Sequence, residues 1–432
     1  MTVIVSVAAR RRVPLAAGAC LFSFVAFWAA QRAADVSMID LMVYRAEGAS
    51  ARAGGDLYAL RATEAHLPMT YPPFAALLFT PLTVPDVADL RMLATAGNLL
   101  LLVVFVRLCL LLIDGRGHAP GRERPGHARV ETALWVSALA VWSEPVWTTL
   151  RYGQINLLLA VLVLWDLTRR PDHRWAGVGI GVAAAIKLTP ALFAVFLLLV
   201  GVVEAVRRGG WPPALRHACV ATGAFLTTTV AGAVVLPDDS RRFWTRVVFE
   251  TGRAGHTEQT ANQSLRGVLA RLLHTGEPGP WWTAGAVLVC AGGLGVAVTA
   301  AARGDRAWGA AACAATALLV SPVSWSHHWV WWVPMALLLW TRAARRGGPV
   351  RGAAAGGLVV VFCSYALWWV PHRPGRPELG QSVGQMGLSA VYPLAAFGFL
   401  AVAAAAVRRG PRGRAECPGR PLRGRAQAVA KE

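Results

Sequence analysis

The chain has 432 residues, of which 55% are hydrophobic and only 15% charged, and it carries 18 Trp. A water-soluble fold of this length cannot bury so much apolar surface, so lipid is the solvent for most of the chain. The formal net charge of +20 does not point to nucleic acid, because the cations cluster in short loops between apolar runs and no basic stripe is interleaved with stacking aromatics.

Arg10, Arg11 and Arg12 precede a first span over about residues 13–30, and the positive-inside rule holds its start in the cytoplasm. No small-residue cleavage site follows it, so an uncleaved span is expected. The loop 31–70 then lies outside. Within it, Leu41, Tyr44 and Gly48 share one helical face while Arg45, Glu47 and Arg52 lie elsewhere, which predicts a short helix along the membrane surface.

The apolar piece 71–84 is short for a span and is broken by Pro72, Pro73 and Pro81. The next run, 92–113, leads into Arg116, Arg122, Arg124 and Arg129, which belong inside. The piece before it therefore either re-enters on the outer face or forms a short tilted span that breaks the charge rule. Further spans are expected at 131–150, 154–168, 175–187, 190–206, 217–236, 281–302, 307–322, 329–341, 351–371 and 386–407. With the first span and 92–113 they make about twelve, with both termini inside. The predicted fold class is an all-α polytopic membrane protein, a single domain over 1–407 with external loops 31–70 and 237–280. A basic tail over 408–432 is expected to be disordered. The second loop is long and polar enough to be a lid or a binding surface.

Six cysteines (Cys20, Cys109, Cys219, Cys290, Cys313 and Cys363) fall in apolar runs and Cys417 in the tail, with neither a CxxC pair nor a metal-ligand spacing. Free thiols are expected, with no metal and no cofactor.

This topology gathers the polar residues on the outer face: Asp40, Tyr71, the run from Arg151 to Asn156, Lys187, the run from Asn262 to Ser264, and the run from Ser324 to His328. Ionisable groups at membrane depth cost about 2.5–3.5 kcal/mol on insertion scales and usually face a cavity or a partner. Lys187 reads either as a lysine snorkelling to the headgroups or as a clamp for a lipid-linked phosphate, with Arg151 assisting. His327 and His328 read either as part of an aromatic belt with Trp325, Trp329, Trp331 and Trp332 or as hydrogen-bond partners for a sugar or phosphate. Adjacent helical histidines diverge by about 100°, which disfavours a shared metal. Trp147, Trp281 and Trp282 read most simply as belt residues, with sugar stacking as the other option. Asp40 is either a helix-start residue or a functional acid, and spacing alone does not separate it from Asp35.

The motifs Asp40-Leu-x-Val-Tyr44, Tyr71-Pro-Pro-Phe-Ala-Ala-Leu-Leu, Gly153-Gln-Ile-Asn-Leu-Leu-Leu, Lys187-Leu-Thr-Pro-Ala-Leu, Asn262-Gln-Ser-Leu-Arg-Gly and Ser321-Pro-Val-Ser-Trp-Ser-His-His-Trp occur in that order. In this the chain, over about 35–335, resembles glycosyltransferase family 87, the polyprenyl-phosphate-mannose-dependent alpha-1,2-mannosyltransferases of actinobacteria, which have the GT-C membrane fold. The resemblance implies an inverting transfer of mannose from a polyprenyl-phosphate donor to a glycan or glycolipid hydroxyl outside the cytoplasmic membrane, with Asp40 rather than Asp35 as the base. Lys187, His327, His328 and Arg151 would then face the donor phosphate. Tyr44, Arg45, Tyr71, Gln154, Asn156 and Asn262 complete the candidate donor contacts. Nothing in the loop at 31–70 forms a DxD motif, which favours chemistry without a metal. The residues leave two other readings open, a flippase for polyprenyl-linked sugars and a transferase of another sugar such as arabinose or glucose. As acceptors, phosphatidylinositol mannosides, lipoglycans and glycoproteins all fit.

Overall fold

In lipid a helix satisfies its own backbone, and the apolar runs accordingly fold as helices. The computed structural model describes residues 2–115, 126–346, 349–372 and 374–408. Arg116, Arg122, Arg124, Cys417 and the basic tail beyond Arg408 lie outside the described residues.

Helix α1 (Thr2–Ala33) leads into α2 (Ile39–Ala53) and a hairpin of β1 (Arg61–Ala62) and β2 (Leu67–Pro68), antiparallel with Arg61 opposite Pro68 and Ala62 opposite Leu67. Helix α3 (Pro73–Phe79) and a 3-10 turn over Thr80–Thr83 join it to α4 (Val87–Asp114). Helices α5 (Gly126–Ala140), α6 (Glu144–Tyr152), α7 (Asn156–Leu167), α8 (Val178–Ile186), α9 (Ala191–Arg208) and α10 (Pro213–Val235) follow. The second polar loop folds as α11 (Pro237–Thr245), two 3-10 turns and α12 (Leu265–Leu272). Then come α13 (Gly279–Ala302), α14 (Arg306–Val320), α15 (Trp332–Arg346), α16 (Pro349–Cys363), α17 (Val383–Ser389) and α18 (Val391–Arg408).

Among the described residues five helices are long and apolar enough to cross a membrane: α1 from Arg12, α4, α10, α13 and α18. Helices α6 and α7 qualify only as a pair, bent by 115°. The outer helices turn apolar side chains such as Phe22, Val230 and Leu288 away from the protein, which in a chain of this composition is the lipid-facing surface. Helix α14, rich in alanine, is buried from Ala307 to Leu319 and forms the centre of the body. The protein is thus a helical, multi-pass membrane protein.

Several expected spans are shorter or more broken than their hydropathy suggests, with 175–187 helical only over α8. The run 131–150 leaves helical geometry between Ala140 and Glu144, because Pro145 near the start of α6 has no N–H to give and its ring clashes with a helical carbonyl four residues back. The run 351–371 stops being α-helical at Cys363, and Tyr365 is left-handed with φ of 57°. The Tyr-Pro-Pro piece is a two-turn helix plus a 3-10 turn, with Ala75, Ala76 and Phe79 in the core under α2.

The expected surface helix is α2, and its buried face is wider than anticipated: Leu41, Val43, Tyr44, Glu47 and Gly48 are all inside. Glu47, assigned from sequence to the other side, is wholly buried. Gly48 lets the helix lie directly on the Phe79 carbonyl, where a Cβ would collide with backbone. Gly48→Ala is therefore expected to cost about 1–3 kcal/mol, read as a lowered thermal midpoint of the detergent-solubilised protein.

Candidate active site

The first turn of α2 carries Asp40, where the helix dipole favours a carboxylate. Asp40 does not cap the helix, because Met38 occupies the cap position with left-handed backbone. Instead its Oδ2 accepts a 2.6 Å hydrogen bond from Gln154 Nε2. The Gln154 Oε1 accepts from the Tyr44 hydroxyl at 2.9 Å, and that hydroxyl lies 2.8 Å from the Tyr71 hydroxyl. Since Tyr44 gives its proton to Gln154, Tyr71 donates to Tyr44, and the chain of donors runs Tyr71, Tyr44, Gln154, Asp40. The direction fixes the amide of Gln154, since a flip would set its oxygen against the carboxylate. Burial pushes the Asp40 pKa up to about 6, while the Gln154 bond and the charge of Lys187 pull it down.

Gln154 reaches Asp40 because the chain reverses between α6 and α7. Gly153 is left-handed, with φ of 68°, and a Cβ there would stand 2.6 Å from Leu41 Cβ. Only glycine allows this bend to dock on α2.

Lys187 follows the last turn of α8 in extended geometry, just ahead of Pro190 and the start of α9. Its Nζ lies 2.9 Å from His328 Nε2, 3.4 Å from Asn156 Oδ1 and 5.5 Å from the centre of the Tyr71 ring. None of the ion pairs among the described residues includes it. The lysine does not snorkel to a headgroup. Its charge sits inside the protein without a contacting counter-ion, and this makes the position attractive to an anion.

His327 and His328 ride on a 3-10 helix over Ser326–Trp331. Both Thr149 Oγ1 and Asn156 Nδ2 donate to the His327 carbonyl, at 2.9 and 3.0 Å. From one side the segment is held by the second polar loop: Asn262 bridges to Trp325 as an antiparallel pair, Gln263 N donates to Ser324 O, and Ser326 N donates to Ala261 O, both at 2.8 Å. From the other side the wholly buried Glu144 accepts from Ser326 Oγ at 2.7 Å, from Thr148 and Tyr392 hydroxyls at 3.0 and 2.9 Å, and from Trp368 Nε1 at 3.2 Å.

Asp40, Tyr44, Tyr71, Arg151, Gln154, Lys187, His327 and His328 line one cavity of about 770 Å³. That volume lies toward the upper end of the range of about 300–1,000 Å³ for small-molecule pockets. The second polar loop supplies a further wall through Phe243, Arg253 and Gln259. Arg151 is exposed on the cavity wall. Three sequence candidates stand elsewhere. Arg45 turns away to the carbonyls of Thr83 and Pro85, at 3.5 and 3.1 Å. Asn262 is wholly buried and accepts from Ser264 N and Ser324 N. Asn156 touches Lys187 from a separate crevice behind it. The last two position the histidine segment and the lysine.

Sequence reading missed Glu47, Gln259, Trp368 and Glu378. Asp40, Tyr44 and Glu47 follow helical spacing on one face, a signal that was present. Trp368 and Glu378 had none, as Trp368 lies within the expected span 351–371 but past the true helix end at Cys363, and Glu378 follows that run. Six cysteines are free thiols, as expected.

The cavity thus holds Asp40 and Lys187 without an ion pair between them, inside an apolar helical body. The chain belongs to glycosyltransferase family 87, whose family model matches residues 69–322, and it is a glycosyltransferase. It is 32% identical over 392 residues to a polyprenol-phosphate-mannose-dependent alpha-(1-2)-phosphatidylinositol pentamannoside mannosyltransferase of Mycobacterium tuberculosis (strain CDC 1551 / Oshkosh), covering 87% of this chain and 84% of that protein. It is 35% identical over 328 residues to a polyprenol-phosphate-mannose-dependent alpha-(1-2)-phosphatidylinositol mannoside mannosyltransferase of Mycolicibacterium smegmatis (strain ATCC 700084 / mc(2)155), covering 71% of each. No solved structure matches the chain significantly.

Glu47 yields a prediction of its own. Neither of its carboxylate oxygens has a hydrogen-bond partner among the described residues, and burial, with the nearby Asp40 charge, holds its pKa well above the usual range. The folded state keeps Glu47 protonated while the unfolded chain ionises it, so wild-type stability falls as pH rises above the unfolded pKa of about 4.3. Glu47→Gln removes that penalty. Its thermal midpoint is expected to exceed the wild type's at pH 7–8 and to converge with it toward pH 4.

Proposed function

We propose that the protein transfers a mannosyl residue from a polyprenyl-phosphate-mannose donor to a hydroxyl of a glycolipid or glycan acceptor, on the extracytoplasmic face of the cell membrane and with inversion at the anomeric carbon. The observation that carries this reading is that Asp40 and Lys187 line one cavity, a base and a cation without a shared bond. The names of the relatives supply the donor and suggest a phosphatidylinositol mannoside acceptor. We assign the chain the GT-C architecture with about twelve spans, on the ordered motifs and the alternation of basic loops.

The chemistry follows from the two charges. The acceptor hydroxyl loses its proton to Asp40, its oxygen bonds to the anomeric carbon, and the bond from that carbon to the phosphate oxygen breaks with its electron pair. Gln154 occupies Oδ2 of Asp40, which leaves Oδ1 for the incoming proton. A carboxylate with pKa raised to about 6 is ionised at neutral pH and is a stronger base than an exposed aspartate. The departing polyprenyl phosphate is a stable anion and needs no acid. Lys187, with Arg151, stabilises the charge it gains, and the His328 ring, which lies against Lys187 Nζ, holds the lysine in place.

Asp40→Asn keeps the shape and removes the base. Transfer from radiolabelled polyprenyl-phosphate mannose in membranes is expected to fall about 10²–10⁴-fold with donor binding retained; undiminished transfer rules Asp40 out as the base. The pH profile carries the second prediction. Because Asp40 works only when ionised, kcat/KM is expected to fall about tenfold per unit below a pKa near 6. A profile flat down to pH 5 speaks against a base with this environment.

A further inference from the structure

One wall of the cavity has no part in the chemistry above. It is built from Trp368, His372 and Glu378, which follow α16, and from Gln259 of the second polar loop. Trp368 is half-buried, and its Nε1 donates to Glu144 Oε1 at 3.2 Å, so the plane of its indole is fixed from behind. Its ring meets that of His372 at 5.1 Å between centroids. Glu378 is 2% exposed, and its one hydrogen bond among the described residues is a long contact from Thr260 N at 3.4 Å. The charges of Arg271 and Arg376 reach it without a hydrogen bond among the described residues, so its lone pairs remain open to a donor in the filled cavity. Gln259 is 7% exposed, and its side-chain amide makes no hydrogen bond with the described residues.

An aromatic face with its polar edge already engaged offers only its apolar plane. Beside it stand an acceptor with unused lone pairs and an amide that can both give and take. A pyranose presents the matching surface: a face of C–H bonds for the indole and a rim of hydroxyls for the carboxylate and the amide. The three side chains of this group carry no cation, whereas Lys187, held against His328, and Arg151 are other members of the same lining. A cavity of about 770 Å³ has room for more than one sugar ring.

We propose that Trp368, Glu378 and Gln259 form a sugar-binding platform for a hexopyranose ring of the acceptor glycan. The proposal rests on the transferase reading for its use of the word acceptor, and the binding of a glycoside stands apart from it. Trp368 stacks on the ring face and Glu378 accepts from two neighbouring hydroxyls. Together they hold the acceptor so that a further hydroxyl meets Asp40.

The test uses the full chain in lipid nanodiscs with octyl α-D-mannopyranoside as probe. Equilibrium binding of the probe is measured first without donor, for wild type, Trp368→Ala, Trp368→Phe and Glu378→Gln. Transfer from polyprenyl-phosphate mannose is then measured with donor and probe varied separately. Trp368→Ala is expected to weaken probe binding and raise the probe KM about tenfold with the donor KM unchanged. Trp368→Phe, which keeps a stacking face but loses the bond to Glu144, is expected to stay within about threefold of wild type. Glu378→Gln is expected to raise the probe KM severalfold. Equal damage from Trp368→Phe and Trp368→Ala, or a rise in donor and probe KM together, assigns Trp368 a structural role and overturns the platform. Wild-type binding of the probe that is lost in Trp368→Ala, without transfer from the donor, supports the platform and defeats the transferase reading instead. Wild-type transfer with an unchanged probe KM in Trp368→Ala defeats the platform alone.

Discussion

The carboxyl group of Glu144 lies wholly inside the protein and takes hydrogen bonds from four side chains, Thr148, Ser326, Trp368 and Tyr392. A buried acid is tolerable only when its oxygens are satisfied this fully. Three of the four donors are distant in sequence, so one group joins α6, the histidine segment, the turn after α16 and the start of α18. The positions of His327, His328 and Trp368 in the cavity all follow from it. The cavity is organised by a residue that does not line it.

A second constraint acts on the other wall. Gly48 and Gly153 let backbone approach backbone and side chain so closely that α2, the α3 turn and the bend between α6 and α7 pack as one unit. Asp40 is held by that unit through Gln154, and Lys187 by the break between α8 and α9. The two charges therefore come from separately positioned elements that share a space without an ion pair between them. Such a separation leaves each charge free for a substrate, and its cost is met by burial elsewhere.

Much of the site was legible in the sequence because lipid makes polarity conspicuous. Asp40, Tyr71, Gln154, Lys187 and the histidine pair interrupt apolar runs at positions that topology assigns to one face, and the structure brings them to one cavity. What could not be read was direction. Arg45 lies in the same motif as Tyr44 yet points to the carbonyls of Thr83 and Pro85, and Asn262 serves a backbone bridge. Hydropathy also failed to place ends: Pro145 splits one apolar run and the left-handed Tyr365 follows the end of another. Trp368 was invisible for that reason, since a tryptophan near the end of an apolar run looks like an interfacial anchor until its Nε1 partner is known, and Glu378 lies beyond the run with no motif to mark it.

The 115° bend between α6 and α7 interrupts helical hydrogen bonding where Arg151, Gln154 and Asn156 are carried. Such an interruption survives where protein or water satisfies the freed groups, and here Gly153 N donates to Leu150 O and Gln154 N to Thr149 O, beside a cavity with room for solvent. Water is also the smallest molecule with a hydroxyl to give. In the proposed reaction, a donor sugar seated beside an ionised Asp40 is open to attack by a solvent molecule activated by the same carboxylate, which would give free hexose and polyprenyl phosphate. Fidelity then depends on occupancy: an acceptor that fills the space protects the donor from hydrolysis, and the size of the cavity sets how much of the acceptor must be in place before the transfer outruns the leak.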